Sequence, residues 1–224
     1  MYFLINVLLA AVPSIALVFY FYYRDRLKRE PFRLIWKAFA FGFLSVIPAI
    51  IVELILSSAL GRFRGLAAAA VHAFIIAALT EEVLKFLTVR FFLYKERAFD
   101  EVTDGIVYTV TAGLGFAFFE NIMYTLGPPS TLLLRGFTAV PLHAMASGIM
   151  GYYIGIHRMK NKPGSLAAGI FLGVLYHGLY DFFLFAGPPF TPFVFPLLVI
   201  GWVNLILLIR KAQRIDKADI TDIP

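Results

Sequence analysis

The chain has 224 residues, of which 60% are hydrophobic and only 15% charged, with a mean hydropathy of +0.81; soluble domains carry roughly 25% charge. This composition excludes an ordinary water-soluble fold and turns length into a count of membrane spans. The lack of cysteine excludes disulfides and thiolate-bound metals, while the net charge of +6 raises a nucleic-acid partner that the placement of the charges then removes.

A spanning helix needs about 20 mostly apolar residues. The first such run, Tyr2–Tyr23, has no basic residues ahead of it and is too long for a signal-peptide core, so it reads as a retained span. A strongly basic connection leads to the second, Ala38–Leu60. "GRFRG" (Gly61–Gly65) separates it from the third, Leu66–Val89. The mixed-charge loop "YKERAFDEVTDG" (Tyr94–Gly105) precedes the fourth, Gly105–Leu126, with Asp104 placed to cap it. "GPPST" (Gly127–Thr131) introduces the fifth, Gly136–Ile156, and "KNKPGS" (Lys160–Ser165) the sixth, Ser165–Ala186. "GPPFTP" (Gly187–Pro192) leads to the seventh, Pro192–Ile209. With no internal repeat and no low-complexity linker, residues 1–224 read as one all-α polytopic membrane domain of about seven transmembrane helices.

Lys and Arg set the orientation. The first connection holds Arg24, Arg26, Lys28, Arg29, Arg33 and Lys37; the third holds Arg90, Lys95 and Arg97. The fifth holds Arg158, Lys160 and Lys162, and the C-terminal segment holds Arg210, Lys211, Arg214 and Lys217. These sixteen lie on one side, against Arg62, Arg64 and Arg135 on the other. The expected topology is N-terminus outside and C-terminus cytoplasmic. Anionic lipid headgroups then suffice as partners of the basic loops, with no nucleic acid.

Ionisable residues inside spans are functional candidates. The third span carries Glu81, Glu82 and Lys85; the fourth, Glu120 and Asn121; the fifth, His143 and Ser147; the sixth, His177 and Asp181. Glu53 lies near the outer end of the second span and is read as structural. Glu81–Lys85, Glu120–Tyr124, His143–Ser147 and His177–Asp181 are all i,i+4 pairs, so each lies on one helix face. Four successive spans can aim a polar face at one interior point, as bundle-core sites do. Interhelical hydrogen bonding accounts for a lone Ser or Asn, but poorly for three carboxylates and two imidazoles. At about 1.5 Å per residue, Glu81 lies about 22 Å from Leu66 and Glu120 about 22 Å from Gly105. Straight helices with those bounds set the two at different depths.

The residue set suits hydrolysis of a peptide bond. A desolvated carboxylate can take a proton from water, and Glu81, aligned with Lys85, is the favoured base. Glu82 points about 100° away and supports it. His143 and His177 can polarise a carbonyl or protonate a leaving amine. No cofactor is expected. A divalent metal such as zinc is the near alternative, with Glu81, Glu82, Glu120, His143 and His177 as donors, although HExxH is absent and no two histidines are i,i+4. A Ser–His dyad of Ser147 and His177, or an aspartate pair built on Tyr180–Asp181, leaves the glutamates unused. A proton path in a transporter and a non-enzymatic scaffold are the rival classes.

The ordered motifs "EEVLK" (Glu81–Lys85), "DGIVY" (Asp104–Tyr108), "GLGFAFFENIMY" (Gly113–Tyr124), "PLHAMASGIMGYYIG" (Pro141–Gly155) and "HGLYD" (His177–Asp181), with "DRLKREP" (Asp25–Pro31) ahead of them, resemble the PrsW family of bacterial intramembrane proteases. That family is related to the broader CAAX-protease and Abi superfamily. The resemblance implies a multi-pass peptidase of the bacterial plasma membrane. Its activity would be the first, regulatory cut in a membrane-anchored protein such as an anti-sigma factor, on the extracytoplasmic side. The superfamily's EExxxR motif corresponds to the glutamate pair, with Lys85 in place of Arg one residue earlier. Its FxxxH motif falls on Phe116–Glu120, where Glu replaces His, and its HxxxN-type motif on His177–Asp181. By analogy Glu81 is the base, and the histidines bind the oxyanion or the water.

Overall fold

The computed structural model describes residues 2–25 and 27–221. It is all-helical among those residues. Its helices are α1 (Tyr2–Arg24), α2 (Phe32–Leu44), α3 (Val46–Leu60), α4 (Gly65–Ala70), α5 (Leu79–Phe92), α6 (Val102–Met123), α7 (Pro129–Phe137), α8 (Ala139–Lys160), α9 (Ser165–Phe185) and α10 (Val194–Thr221). A π-helical segment, Val71–Ala78, joins α4 to α5. Among the described residues, seven continuous stretches are long and apolar enough to cross a membrane, and each overlaps one of the expected spans.

Several helices overrun the apolar runs that announced them, whereas the fourth ends at Met123, short of Leu126. The second stretch starts at Phe32 rather than Ala38, and the last continues from Ile209 to Thr221. Hydropathy marks where lipid ends; backbone hydrogen bonding carries a helix on into water. The fifth stretch, Pro129–Lys160, is broken at Thr138 (φ −124°, ψ −64°), which sets α7 apart from α8.

α6 is the central helix, buried along nearly its whole length by α1, α2, α8 and α10. Lipid supplies no hydrophobic drive between helices, so close approach of small residues matters. A Cβ on Gly105 would run into the backbone of Gly151 and Gly155 on α8. A Cβ on Gly113 would collide with the Ser147 side chain and come within 3.2 Å of the His143 carbonyl. These glycines fix how near α8 lies to α6, and hence where His143 stands.

The end bearing the basic loops is tied by polar contacts. Asp216 of α10 accepts from the backbone N–H groups of Val102 (2.7 Å) and Thr103 (3.0 Å), closing the start of α6. Asp104 caps that helix as expected, but from its third residue: it accepts from the N–H groups of Asp100 (2.8 Å) and Glu101 (2.6 Å), in a capping box with Glu101. Arg158 holds the α5–α6 loop through the carbonyls of Phe99 (2.6 Å), Glu96 (3.0 Å) and Tyr94. In the α1–α2 loop, Glu30 accepts from the Tyr108 hydroxyl.

Candidate active site

The π segment ends three residues before Glu81; such widened turns recur at functional sites. On α5 the Lys85 ammonium donates to Glu82 Oε1 (2.8 Å) and Glu81 Oε2 (3.1 Å). It also lies 2.9 Å from His143 Nδ1 on α8 and 4.4 Å from the centre of the Phe116 ring. These three buried ionic groups are tolerated because they pair with one another, although Glu82 Oε2 has no hydrogen-bond partner among the described residues.

Both imidazoles are held from behind by carboxylates. His143 Nε2 lies 2.8 Å from Glu120 Oε2, and His177 Nδ1 lies 2.8 Å from Glu82 Oε1. Because the Lys85 ammonium has no acceptor capacity, His143 accepts at Nδ1 and carries its proton on Nε2, toward Glu120. The forward nitrogens face one carboxylate: Glu81 Oε2 is 4.0 Å from His143 Nδ1 and 3.9 Å from His177 Nε2. Asp181, one turn beyond His177, lies 3.3 Å from Nε2. The rings meet edge to face, 5.1 Å apart.

Glu81, His143 and His177 line a cavity of about 240 Å³ with Glu120 and Asp181, while Glu82 and Lys85 lie behind its wall. The sequence-predicted residues of α5, α6, α8 and α9 thus converge, with one exception. Ser147 is buried against Gly113, and its hydroxyl has no hydrogen-bond partner among the described residues. Asn121 joins the site indirectly, accepting from Arg135 Nε at 2.7 Å.

The depth conflict between Glu81 and Glu120 resolves in the lengths of their helices. The stretch Gly65–Phe92 has 28 residues, about 42 Å, and overshoots a hydrocarbon core of about 30 Å. Glu120 lies one turn from the end of α6 at Met123. Both meet His143 near the end of the bundle away from the basic loops.

Two lining residues escaped the sequence reading. Glu53 of α3 lines the cavity rather than serving only as packing near the membrane edge. Arg135 of α7, noticed only as a topology signal, lines it too and donates to Glu120 Oε2 at 3.3 Å, with its guanidinium 4.2 Å from the centre of the Tyr124 ring. Its signal in the sequence is position: it is the lone charge in the connection between the spans that carry Glu120 and His143.

Glu81, His143 and His177 each offer one donor atom within 4.8 Å of the other two. Two imidazole nitrogens and a carboxylate form a donor set of catalytic zinc sites. Carboxylates on the rear nitrogens are the usual outer support of such ligands. The residue types therefore fit a divalent metal, which would take the His143 Nδ1 and Glu81 Oε2 lone pairs that the Lys85 ammonium engages here.

The chain matches the family described as PrsW family intramembrane metalloprotease over residues 30–209. It is 39% identical over 178 residues to Protease PrsW of Geobacillus kaustophilus, covering 78% of this chain and 77% of that protein. It is 32% identical over 215 residues to Protease PrsW of Oceanobacillus iheyensis, covering 94% and 98%. Against Protease PrsW of Bacillus subtilis the identity is 31% over 211 residues, covering 91% and 94%. No solved structure matches the chain. The family description and the donor set shift the weight from the metal-free site first expected toward the metal-assisted alternative. The chain belongs to the PrsW family of intramembrane metalloproteases and is a multi-pass membrane peptidase.

Proposed function

We propose that this peptidase makes a regulatory cut in a membrane-anchored protein of the anti-sigma-factor type, with Glu81 as the base that activates water. The observation that carries this reading is the placement of Glu81: it faces the cavity and both forward imidazole nitrogens at 3.9–4.0 Å. Its Oε2 is held by Lys85, so Oε1 is the oxygen that takes the water's proton. The hydroxide adds to the scissile carbonyl. The proton then passes from Glu81 Oε1 to the leaving nitrogen as the C–N bond breaks. Arg135 presents positive charge to the cavity where the oxyanion develops. Glu82, Glu120 and Asp181 orient the imidazoles.

A divalent ion held by Glu81, His143 and His177 would supply Lewis-acid polarisation of the scissile carbonyl. The topology follows from the same frame. With the sixteen basic residues in the cytoplasm, the N-terminus lies outside and the cavity lies toward the outer face, which suits a cut on the extracytoplasmic side of a single-span substrate.

The test is co-expression of a membrane-anchored anti-sigma factor with Glu81→Gln. Cleavage should vanish while the variant accumulates in membranes at the normal level. Undiminished cleavage would overturn the assignment of the base.

A further inference from the structure

We propose that the groove between the ends of α8, α9 and α10 binds an anionic phospholipid, taking its phosphodiester headgroup at a lysine-lined rim and the start of one acyl chain along its apolar wall. The groove encloses about 470 Å³ and lies far from the catalytic cavity, at the end carrying the basic loops.

Charge defines the rim. Lys160, Lys162 and Lys211 line it. Lys160 is already engaged by both oxygens of Asp219, at 2.6 and 2.8 Å. Among the described residues, Lys162 and Lys211 make no ion pair. α9, 21 residues long, begins at Ser165 behind Gly164 (φ 75°) with no side chain capping it. The Ser165 N–H donates to the Lys162 carbonyl at 3.4 Å, and the positive end of the helix dipole faces the same rim, where Gly164 and Ser165 line the groove.

The wall defines the ligand as an amphiphile. From Lys160 to Tyr152 the groove follows α8 for about 12 Å, passing Ile156 and facing Leu208 of α10. The Lys211 ammonium lies 5.7 Å from the centre of the Tyr152 ring, which places its positive charge along the wall below the Lys160–Lys162 edge, within the groove. A soluble anion has no use for such a wall, and a zwitterionic lipid has no use for two uncompensated ammoniums. Basic pockets between spans are the recognised setting for anionic headgroups.

The test titrates phosphatidylglycerol or phosphatidylcholine into the full-length protein in uncharged detergent and counts bound lipid by native mass spectrometry. Phosphatidylglycerol should bind more tightly than phosphatidylcholine. Lys162→Gln with Lys211→Gln should weaken it roughly 30-fold, about five-fold per lysine, and leave phosphatidylcholine unchanged. Lys160→Gln, whose charge Asp219 already neutralises, should change it much less than the pair. Inorganic phosphate should not displace the lipid. Equal binding of the two lipids, no effect of the double substitution, or displacement by inorganic phosphate would each overturn the site. If the double variant loses its helical content, the unaltered protein still decides: phosphatidylglycerol binding must fall as salt rises, and a salt-independent affinity overturns the proposal.

Discussion

His177 Nδ1 lies 2.8 Å from Glu82 Oε1, joining α9 to α5 behind the cavity that Glu81 faces. The adjacent glutamates are thereby placed differently. Glu82 is wholly buried and spends Oε1 on His177 and Lys85, whereas Glu81 keeps one oxygen toward the cavity. Glu82→Gln retains an acceptor for His177 but loses the charge. It should reduce cleavage by about 10–100-fold, the usual cost of disturbing an outer partner of an imidazole. Glu81→Gln should cost about 10²–10⁴-fold, the range for a general base. Cleavage rates of the two purified variants on one substrate would measure this; a Glu82→Gln enzyme as inert as Glu81→Gln, at equal folding, contradicts the division of labour.

Metal removal tests the donor set directly. The purified protein should carry about one divalent ion per chain, as the three-donor geometry calls for. Chelation should abolish cleavage, and zinc should restore it. His143→Ala combined with His177→Ala should lose the metal as measured by elemental analysis, independently of activity. A stoichiometric ion that survives the double substitution would place the metal elsewhere.

Besides presenting its charge to the cavity, Arg135 contacts Glu120, which in turn contacts His143. Its guanidinium spans Asn121 Oδ1 and Glu120 Oε2, a reach that an ammonium does not reproduce. Arg135→Lys should therefore lower kcat by about 10-fold, on the scale of losing a charge-assisted hydrogen bond, with KM nearly unchanged. Raised KM at unchanged kcat would assign Arg135 to substrate binding instead.

The spans were legible because apolar length is nearly a sufficient condition for a membrane helix. The convergence of Glu81, Glu120, His143 and His177 was legible because isolated charge inside lipid demands a partner. Less legible was anything that depends on backbone irregularity. The π segment before Glu81 has no residue signature in "VHAFIIAA" (Val71–Ala78), and the break at Thr138 carries no glycine or proline of its own. Those two features set which face of α5 meets α8 and bring Arg135 back over Glu120. Ser147 misled for the opposite reason. An i,i+4 spacing says that two residues share a face, but Gly113 decides what that face touches.

The basic end of the bundle gives a prediction about pH. Burial pushes the Glu30 carboxyl up to about 7, with Asp25 and Asp100 adding repulsion and the Tyr108 hydroxyl and the Asp104 carboxyl opposing. Burial likewise raises Asp25 to about 6 and Glu101 to about 7. Because each folded value lies above the ordinary carboxylate range, the folded state binds more protons than the unfolded one. The stabilisation from these protons is complete below about pH 4 and is lost progressively up to about pH 7. Amide hydrogen exchange around Asp25–Pro31 and Asp100–Thr103, corrected for intrinsic rates, should therefore show stronger protection at about pH 5 than at about pH 8. Glu30→Gln, which stays neutral while keeping an acceptor for Tyr108, should remove about a third of that difference, Asp25 and Glu101 supplying the rest. Protection that increases with pH in the unaltered protein would show that these carboxylates are ionised and paired in the folded state.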